Sequence, residues 1–334
     1  MKRRIRTGFV LAAGATALAG CSDQSALSPR SEPAREIATL WWWMLAIAAT
    51  VLGGALFLLL IASLRRRKPG LPLVGGREGL ATALVVVFGI VIPLGVNVAV
   101  FVVANFVVAK ATDAPDPRTT PMTIEVVGHQ WFWEVRYPGT SAAVTANEIH
   151  IPVGTRVNVV ARTADVIHSF WVPQLNRKID MIPGHTNRVL LQADAPGRYR
   201  GQCAEFCGAQ HAHMAMYVFA EPPDRFRAWL RGQAASRRAP ATSAERRGER
   251  VFLDSACAGC HAIRGTAARG DIGPDLTHLG SRSSLAALTV PNDRASLAEW
   301  VRDPQHLKPG NRMPPVAPSG DDFRDLLAYL ESLR

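Results

Sequence analysis

The stretch GQCAEFCGAQHAHMAM, residues 201–216, crowds two cysteines, two histidines and two methionines into sixteen residues. Cys203, Cys207, His211 and Met214 stand at C-x3-C-x3-H-x2-M spacing, between two runs of alternating character, VLLQADAPGRYRGQC and MAMYVFAEP. Such alternation marks half-buried strands. Upstream, VIHSFWVP places His168 at the end of another such run. One cysteine, two histidines and a distant methionine, gathered by one loop and an upstream histidine, make the blue-copper arrangement on a β-sandwich. This chain offers one thiolate more. Two thiolates at this separation can both bridge two copper ions, each with a terminal imidazole from His168 or His211. Met214 sulfur and the Glu205 carbonyl are available as weak axial donors. Two other readings compete. An exported C-x-x-x-C pair can form a disulfide, which leaves His211 and Met214 unexplained. Zinc accepts two cysteines and two histidines, but methionine suits copper better. Alternation from Met214 turns His213 elsewhere, toward solvent.

Upstream of this stretch, short alternating runs fill the region from MTIEVVGHQWFWEVRYP through EIHIPVGTRVNVVART, separated by turn residues in YPGT, IPVGT and DAPGRY. Several short strands at such spacing predict a β-sandwich or Greek-key domain over residues 118–223. A polar segment, 224–242, running into AASRRAPATSAERR (234–247), reads as a linker and tether.

The last segment, 243–334, is predicted to be helical and carries CAGCH at 257–261. C-x-x-C-H is the attachment motif of a c-type haem. Cys257 and Cys260 can add to the two haem vinyl groups, and His261 meets the iron from one face. KPGNRMPP offers Met313 as the second axial ligand, with His278 and His306 as rivals. A thioredoxin-like redox motif needs a βαβ context that is missing, and a zinc site needs further nearby ligands. GPDLTHLG and WVRDPQHLKPGNRMPP resemble the small cytochrome c family. The closing run DDFRDLLAYLESLR sets Phe323, Leu326, Leu327, Leu330 and Leu333 on one helical stripe.

Toward the other end, a basic start followed by the apolar run Phe9–Ala19 reads as a signal peptide over residues 1–20. It ends in LAGC, similar to a lipoprotein box, so Cys21 is expected to carry lipid at the head of an N-terminal linker, 21–39. Trp41–Leu64 is 24 residues without a charge, and Leu80–Val108 is 29 residues broken only by Pro93, Asn97 and Asn105. Each is long enough to span a bilayer, giving a helical hairpin over 40–110. Arg65, Arg66, Arg67 and Lys68 between them place that turn in the cytoplasm and the remainder of the chain outside.

The formal net charge is +11. Its excess sits beside apolar segments, at Lys2–Arg6 and Arg65–Lys68, while residues 243–334 balance twelve basic against twelve acidic groups. The charge therefore reads as a topology signal and excludes nucleic acid as the partner. The five cysteines are all assigned, one to lipid, two to copper and two to haem.

With the hairpin, the sandwich and these motifs in order, GHQWFWEVRYP, HSFWVPQLNRKIDMIPG and CAEFCGAQHAHM resemble subunit II of haem–copper cytochrome c oxidase. The chain is similar to the bacterial variety with a cytochrome c domain fused behind a cupredoxin domain. The resemblance implies a multidomain membrane protein: a two-helix transmembrane hairpin, an all-β cupredoxin-like Greek-key sandwich and an all-α class I cytochrome c domain. It implies a binuclear CuA centre held by His168, Cys203, the Glu205 carbonyl, Cys207, His211 and Met214. One copper would take His168 and Met214, the other His211 and the Glu205 carbonyl. The Glu205 carboxylate would reach a magnesium ion at the subunit I boundary. Trp131 would be the aromatic through which electrons enter the copper site, although from the residues alone packing of Trp131, Phe132 and Trp133 in the sandwich is the better reading, with Trp131 and Trp133 sharing a face opposite Phe132. Glu78 would mark a proton path, though GREGLATALVVV departs from the usual pattern and Arg77 can simply pair with it.

The implied function is electron transfer from a donor, a soluble or membrane cytochrome c or an upstream respiratory complex, through haem c to CuA and on to haem in subunit I. Oxygen reduction and most proton pumping would belong to subunit I, with the other oxidase subunits as further partners. The expected location is the bacterial inner membrane, with copper and haem on the outer side. Two rivals come from other classes. A stand-alone enzyme such as a nitrous oxide reductase needs a further histidine-rich site, and nine histidines leave none apparent. A lipid-anchored copper chaperone would want a labile mononuclear site. A quinol oxidase subunit lacks these copper ligands.

Overall fold

The computed structural model describes residues 24–67, 78–139 and 143–334. The expected leader, Cys21, the basic side chains at 66–68 and the Glu78 carboxylate lie outside that description. The chain divides into two units, Glu32–Asp113 and the rest.

The first unit is two long helices, α1 (Glu32–Arg67) and α2 over residues 78–112. Both are long and apolar enough to cross a membrane. Along their apolar spans the side chains are exposed, Phe57, Leu59, Phe101 and Phe106 among them, while Ala34, Ala38 and Thr112 near the ends are buried. A helix that is apolar all round and unburied has found no protein core to face. The two amides in α2 are satisfied locally: Asn97 Nδ2 donates to the Pro93 carbonyl and Asn105 Nδ2 to that of Phe101, both at 2.8 Å. Polar groups need such internal partners where water is excluded. Two π-helical stretches, Val87–Val91 and Ala104–Val108, interrupt α2. Its last turns pack on α1.

The second unit begins with a β-sandwich. Its strands are β1 (Met122–His129), β2 (Phe132–Tyr137), β3 (Ala143–Ala146), β4 (Glu148–Pro152) and β5 (Val157–Thr163). Next come β6 (His168–Trp171), β7 (Ile179–Met181), β8 (Asn187–Leu191), β9 (Gly197–Cys203) and β10 (Ala215–Glu221). They form two five-stranded sheets, ordered β3-β2-β1-β5-β8 and β4-β10-β9-β6-β7. Each sheet mixes one parallel pair, β1 with β5 or β10 with β4, into antiparallel neighbours. Inward residues alternate along the strands, Ile124 and Val126, Trp133 and Val135, Val157 and Val159, Met216 and Val218, and meet in one buried cluster. The N-terminal segment is tied to this domain, where Arg30 N donates to the Gln174 carbonyl at 2.8 Å and Ser31 Oγ to that of Leu175 at 2.5 Å.

The stretch expected as a flexible linker departs from that reading. Its first half is helix α3 (Pro223–Ala234). Phe226, Trp229 and Leu230 fall at i, i+3 and i+4 and pack on the sandwich core. The Trp229 ring stacks on His150 of β4 at 3.9 Å, and β4 is buried on both faces. Beyond α3 the chain is pinned to the C-terminal domain. Arg264 Nη1 donates to the Ala234 carbonyl at 2.7 Å, His278 Nε2 to that of Ala235 at 3.1 Å, and Arg237 pairs with Glu249. This is fixed geometry, not a free tether.

The C-terminal domain is helical: α4 (Ser243–Asp254), α5 (Cys257–Cys260), α6 (Arg294–Arg302), α7 (Pro304–Leu307) and α8 (Gly320–Ser332). A two-stranded ribbon, β11 (Ser284–Leu285) with β12 (Val290–Pro291), lies between α5 and α6. Thr242 caps α4 by accepting from Glu245 N at 3.1 Å, while the Glu245 carboxylate accepts from Ala241 N, a close relative of the capping box. All five residues of the predicted α8 stripe are buried. They face α4, where Phe252 meets Tyr329 with ring centres 6.0 Å apart.

Candidate copper and haem sites

At one end of the sandwich, β9 finishes at Cys203 and a loop returns to β10 through the short turn His211–His213. The next strand in the sheet, β6, begins at His168, so sheet pairing delivers the upstream imidazole to the loop. Cys203 Sγ lies 3.8 Å from Cys207 Sγ and 3.8 Å from His168 Nδ1. Cys207 Sγ lies 3.6 Å from His211 Nδ1 and 3.8 Å from Met214 Sδ. The Glu205 carbonyl oxygen is 3.1 Å from Cys203 Sγ. All six sequence-predicted donors are thus brought together. His168, Cys203, Cys207 and Met214 are buried, and donor atoms of the first three lie within 4.8 Å of one another. His211 stands outside that trio, against the second thiol.

The chemistry of this donor set fits a cationic group. Without one, the Cys207 thiol donates toward Cys203 and, with His168 assisting against burial, lowers the Cys203 pKa; Cys207 is driven up by its charged neighbour and by burial. Two thiolates this close ionise together only against metal charge. The imidazole of His168 is already oriented for ligation through Nδ1, because its Nε2 is held by Asp165 Oδ1 at 2.9 Å. Burial works against the Asp165 carboxylate, but His168 and the backbone N–H groups of Gln130 and Val166 outweigh it and hold its pKa at about 2. A carboxylate behind a ligating histidine is the usual outer-shell device. Sequence reading missed Asp165; an acid three residues before His168 was the available signal.

Trp131 stands at a turn rather than within a strand, and it packs on the same buried cluster as Trp133. Gln130 and Trp131 form the tip between β1 and β2, joined by a cis peptide bond. Trp133 is fully buried under the copper loop. The Trp131 indole Nε1 instead donates to the Cys207 carbonyl at 3.0 Å. Gly208 permits this approach: its φ is +111°, and a Cβ there would stand 3.0 Å from the indole. The Glu205 side chain is half-exposed and 3.8 Å from Lys178 Nζ. His213 faces outward, as expected, held by Gln210.

In the helical domain, Cys257, Cys260 and His261 line one side of an apolar cavity, and Met313 lines it from the loop after α7. Leu276, Leu297, Val301 and Leu326 supply its walls. His261 Nδ1 is 2.8 Å from the Pro274 carbonyl, which fixes the ring and leaves Nε2 for a metal. Burial, chiefly, lowers the His261 pKa and keeps the imidazole neutral. Gly273 passes directly beneath it; a Cβ there would lie 2.4 Å from His261 Cε1. Neither rival histidine lines the cavity. His278 is spent on the Ala235 carbonyl, and His306 is exposed beside Glu299. The cysteines, imidazole and thioether therefore fit a covalently held haem.

Two family models match the regions that carry these residues. Residues 140–220 match the family described as cytochrome c oxidase subunit II, periplasmic domain, and residues 245–334 match the cytochrome c family. The chain is 38% identical over 272 residues to cytochrome c oxidase subunit 2 of Alkalihalophilus pseudofirmus, covering 80% of this chain and 78% of that one. It is 28% identical over 236 residues to the Bacillus subtilis protein of the same name, covering 67% of this chain and 64% of that one, just under two thirds. Among solved structures it is similar to the periplasmic domain of subunit II of cytochrome oxidase of Bradyrhizobium japonicum, at 30% identity and a TM-score of 0.34, over 36% of this chain and 96% of that one.

Proposed function

The chain belongs to the cytochrome c oxidase subunit II family, and from that premise we propose that it is the electron-entry arm of a terminal oxidase. It would take electrons from an outside donor and pass them to subunit I, where oxygen is reduced and protons are pumped. Bound copper and covalent haem would each supply a one-electron carrier. The single observation that supports this reading is the pair of buried thiols 3.8 Å apart, each with its own imidazole within 3.8 Å. A mononuclear site has no use for that duplication.

In this reading Cys203, Cys207, His168, His211, Met214 and the Glu205 carbonyl would together hold the copper. Asp165 keeps the His168 ring turned to the metal, and burial excludes water that would have to reorganise with each electron. Cys257 and Cys260 would hold the haem covalently, and His261 and Met313 would supply its nitrogen and thioether ligands; thioether ligation raises the potential, which suits a carrier. The Glu205 carboxylate would reach a magnesium ion shared with subunit I, and Glu78 would belong to a proton path. The helices would sit in the bacterial inner membrane with both carriers on the outer side, Cys21 adding a lipid anchor.

Metal and haem analysis of the full chain in detergent tests this. Two coppers and one covalent haem per chain are expected. One labile copper would favour a chaperone, and zinc without copper would end the reading.

A further inference from the structure

The helical domain is not merely near the copper domain; it is clasped to it by a buried lysine. Lys308 is 2% exposed. Its ammonium donates to three backbone carbonyls: Trp131 at 3.1 Å, His213 at 2.9 Å and Ala286 at 3.1 Å. An ammonium has three donors, and all three are used. Two acceptors belong to the sandwich, one on the tip that carries Trp131 and one inside the turn between His211 and Met214. The third belongs to the helical domain's own ribbon loop. Burial lowers its pKa to about 7, and a buried amine, charged or not, needs its hydrogen-bond partners, so this lysine is satisfied in one relative placement of the two domains.

Neighbouring contacts agree with that placement. Arg312 Nη2 donates to Gln130 Oε1 at 2.7 Å, and its guanidinium lies 3.7 Å from Asp165, the carboxylate behind His168. Gln210 Nε2 donates to the Pro309 carbonyl at 2.7 Å. At the far side Ser283 donates from N and Oγ to Glu148 Oε1. The result is that Trp131, with Gln130 and His129, forms part of the wall of the cavity that holds His261 and Met313.

We propose that Lys308 is a positioning residue that locks the helical domain over the Trp131 tip and the copper-ligand loop, so that Trp131 is approached from the chain's own haem pocket and not by an outside donor. The proposal rests on the haem and copper reading above. Its consequence is that an external donor delivers to the helical domain only.

The test uses the full chain, loaded and in detergent, with Lys308→Met and, as a gentler second variant, Arg312→Gln. Wild-type copper and haem spectra are recorded first; their absence would defeat the functional reading and not the clasp. Flash reduction of the haem then tracks electron equilibration with copper, at rising solvent viscosity. Hydrogen exchange is read at residues 128–133 and 283–288. In wild type the rate should not depend on viscosity. Removing one partner from such a desolvated charge network is strongly disruptive, so Lys308→Met should slow equilibration about tenfold or more. The slowed rate should become viscosity-dependent, both segments should exchange faster, and both spectra should be unchanged. Arg312→Gln should move the same readouts by a smaller factor. Unchanged rate and exchange in both variants, or a wild-type rate that already depends on viscosity, would overturn the clasp. Should Lys308→Met fail to incorporate haem, Arg312→Gln decides by the same criteria.

Discussion

The Trp131 indole Nε1 donates to the carbonyl oxygen of Cys207 at 3.0 Å, and the same oxygen accepts from Gln130 Nε2 at 2.9 Å. One ring therefore touches the backbone of a candidate copper ligand and the wall of the candidate haem pocket. Trp131→Phe keeps the ring and deletes the N–H. A hydrogen bond of about 1–1.5 kcal/mol corresponds to about a tenfold rate effect. Flash reduction should show haem-to-copper equilibration slowed by about that factor in Trp131→Phe and by more in Trp131→Ala. Unchanged rates in both would remove Trp131 from the route.

Asp165 should act on copper retention without touching the metal. Asp165→Asn keeps the shape but weakens the hold on His168 Nε2. Loss of an outer-shell partner of this kind weakens metal affinity by about 10–100-fold. Dialysis against a graded copper chelator reads the change directly, and an unaltered retention curve would make Asp165 a structural residue only.

Gly273 should be essential to haem attachment. The methyl group of Gly273→Ala would collide with the His261 ring, with a Cβ-to-Cε1 separation of 2.4 Å. Displaced His261 can no longer present Nε2 to the cavity. Covalent haem content should fall sharply, while the copper spectrum remains. Full haem content with an unshifted optical spectrum would contradict this.

The sandwich should lose stability on the alkaline side. His150 is buried, which opposes its charged form. The Glu148 carboxylate, 3.9 Å from its Nε2, and the Glu221 carboxylate, hydrogen-bonded to its Nδ1 at 3.0 Å, outweigh burial and raise its pKa above the ordinary 6.5. A raised folded pKa means the stabilising contribution is complete below about pH 6.5 and is lost as pH rises through the folded value. The thermal midpoint should decline over that window, and His150→Gln should flatten the decline. An equal slope in the variant would assign the pH dependence elsewhere.

What could be read from the sequence was what spacing encodes. Cys203, Cys207, His211 and Met214 are local, as are Cys257, Cys260 and His261, and each set keeps its geometry because a few residues of backbone carry it. The α8 stripe was visible for the same reason. That Trp131 stands at a turn and not within a strand was not legible, because periodicity does not show where a hairpin turns. The linker was misread from its polar composition, although Phe226, Trp229 and Leu230 carried a helical stripe. Lys308 lay beyond sequence reasoning altogether. Its partners are backbone carbonyls 177, 95 and 22 residues away, and a carbonyl leaves no trace in residue type.

Everything proposed for the copper domain turns on Cys203 and Cys207 bridging two coppers as one unit. Electron spin resonance of the oxidised full chain reads this without an intermediate step. One unpaired electron shared by two equivalent copper nuclei, with the matching hyperfine pattern, is the expected result. A signal from a single copper nucleus, or no copper signal from a metal-loaded chain, would contradict it.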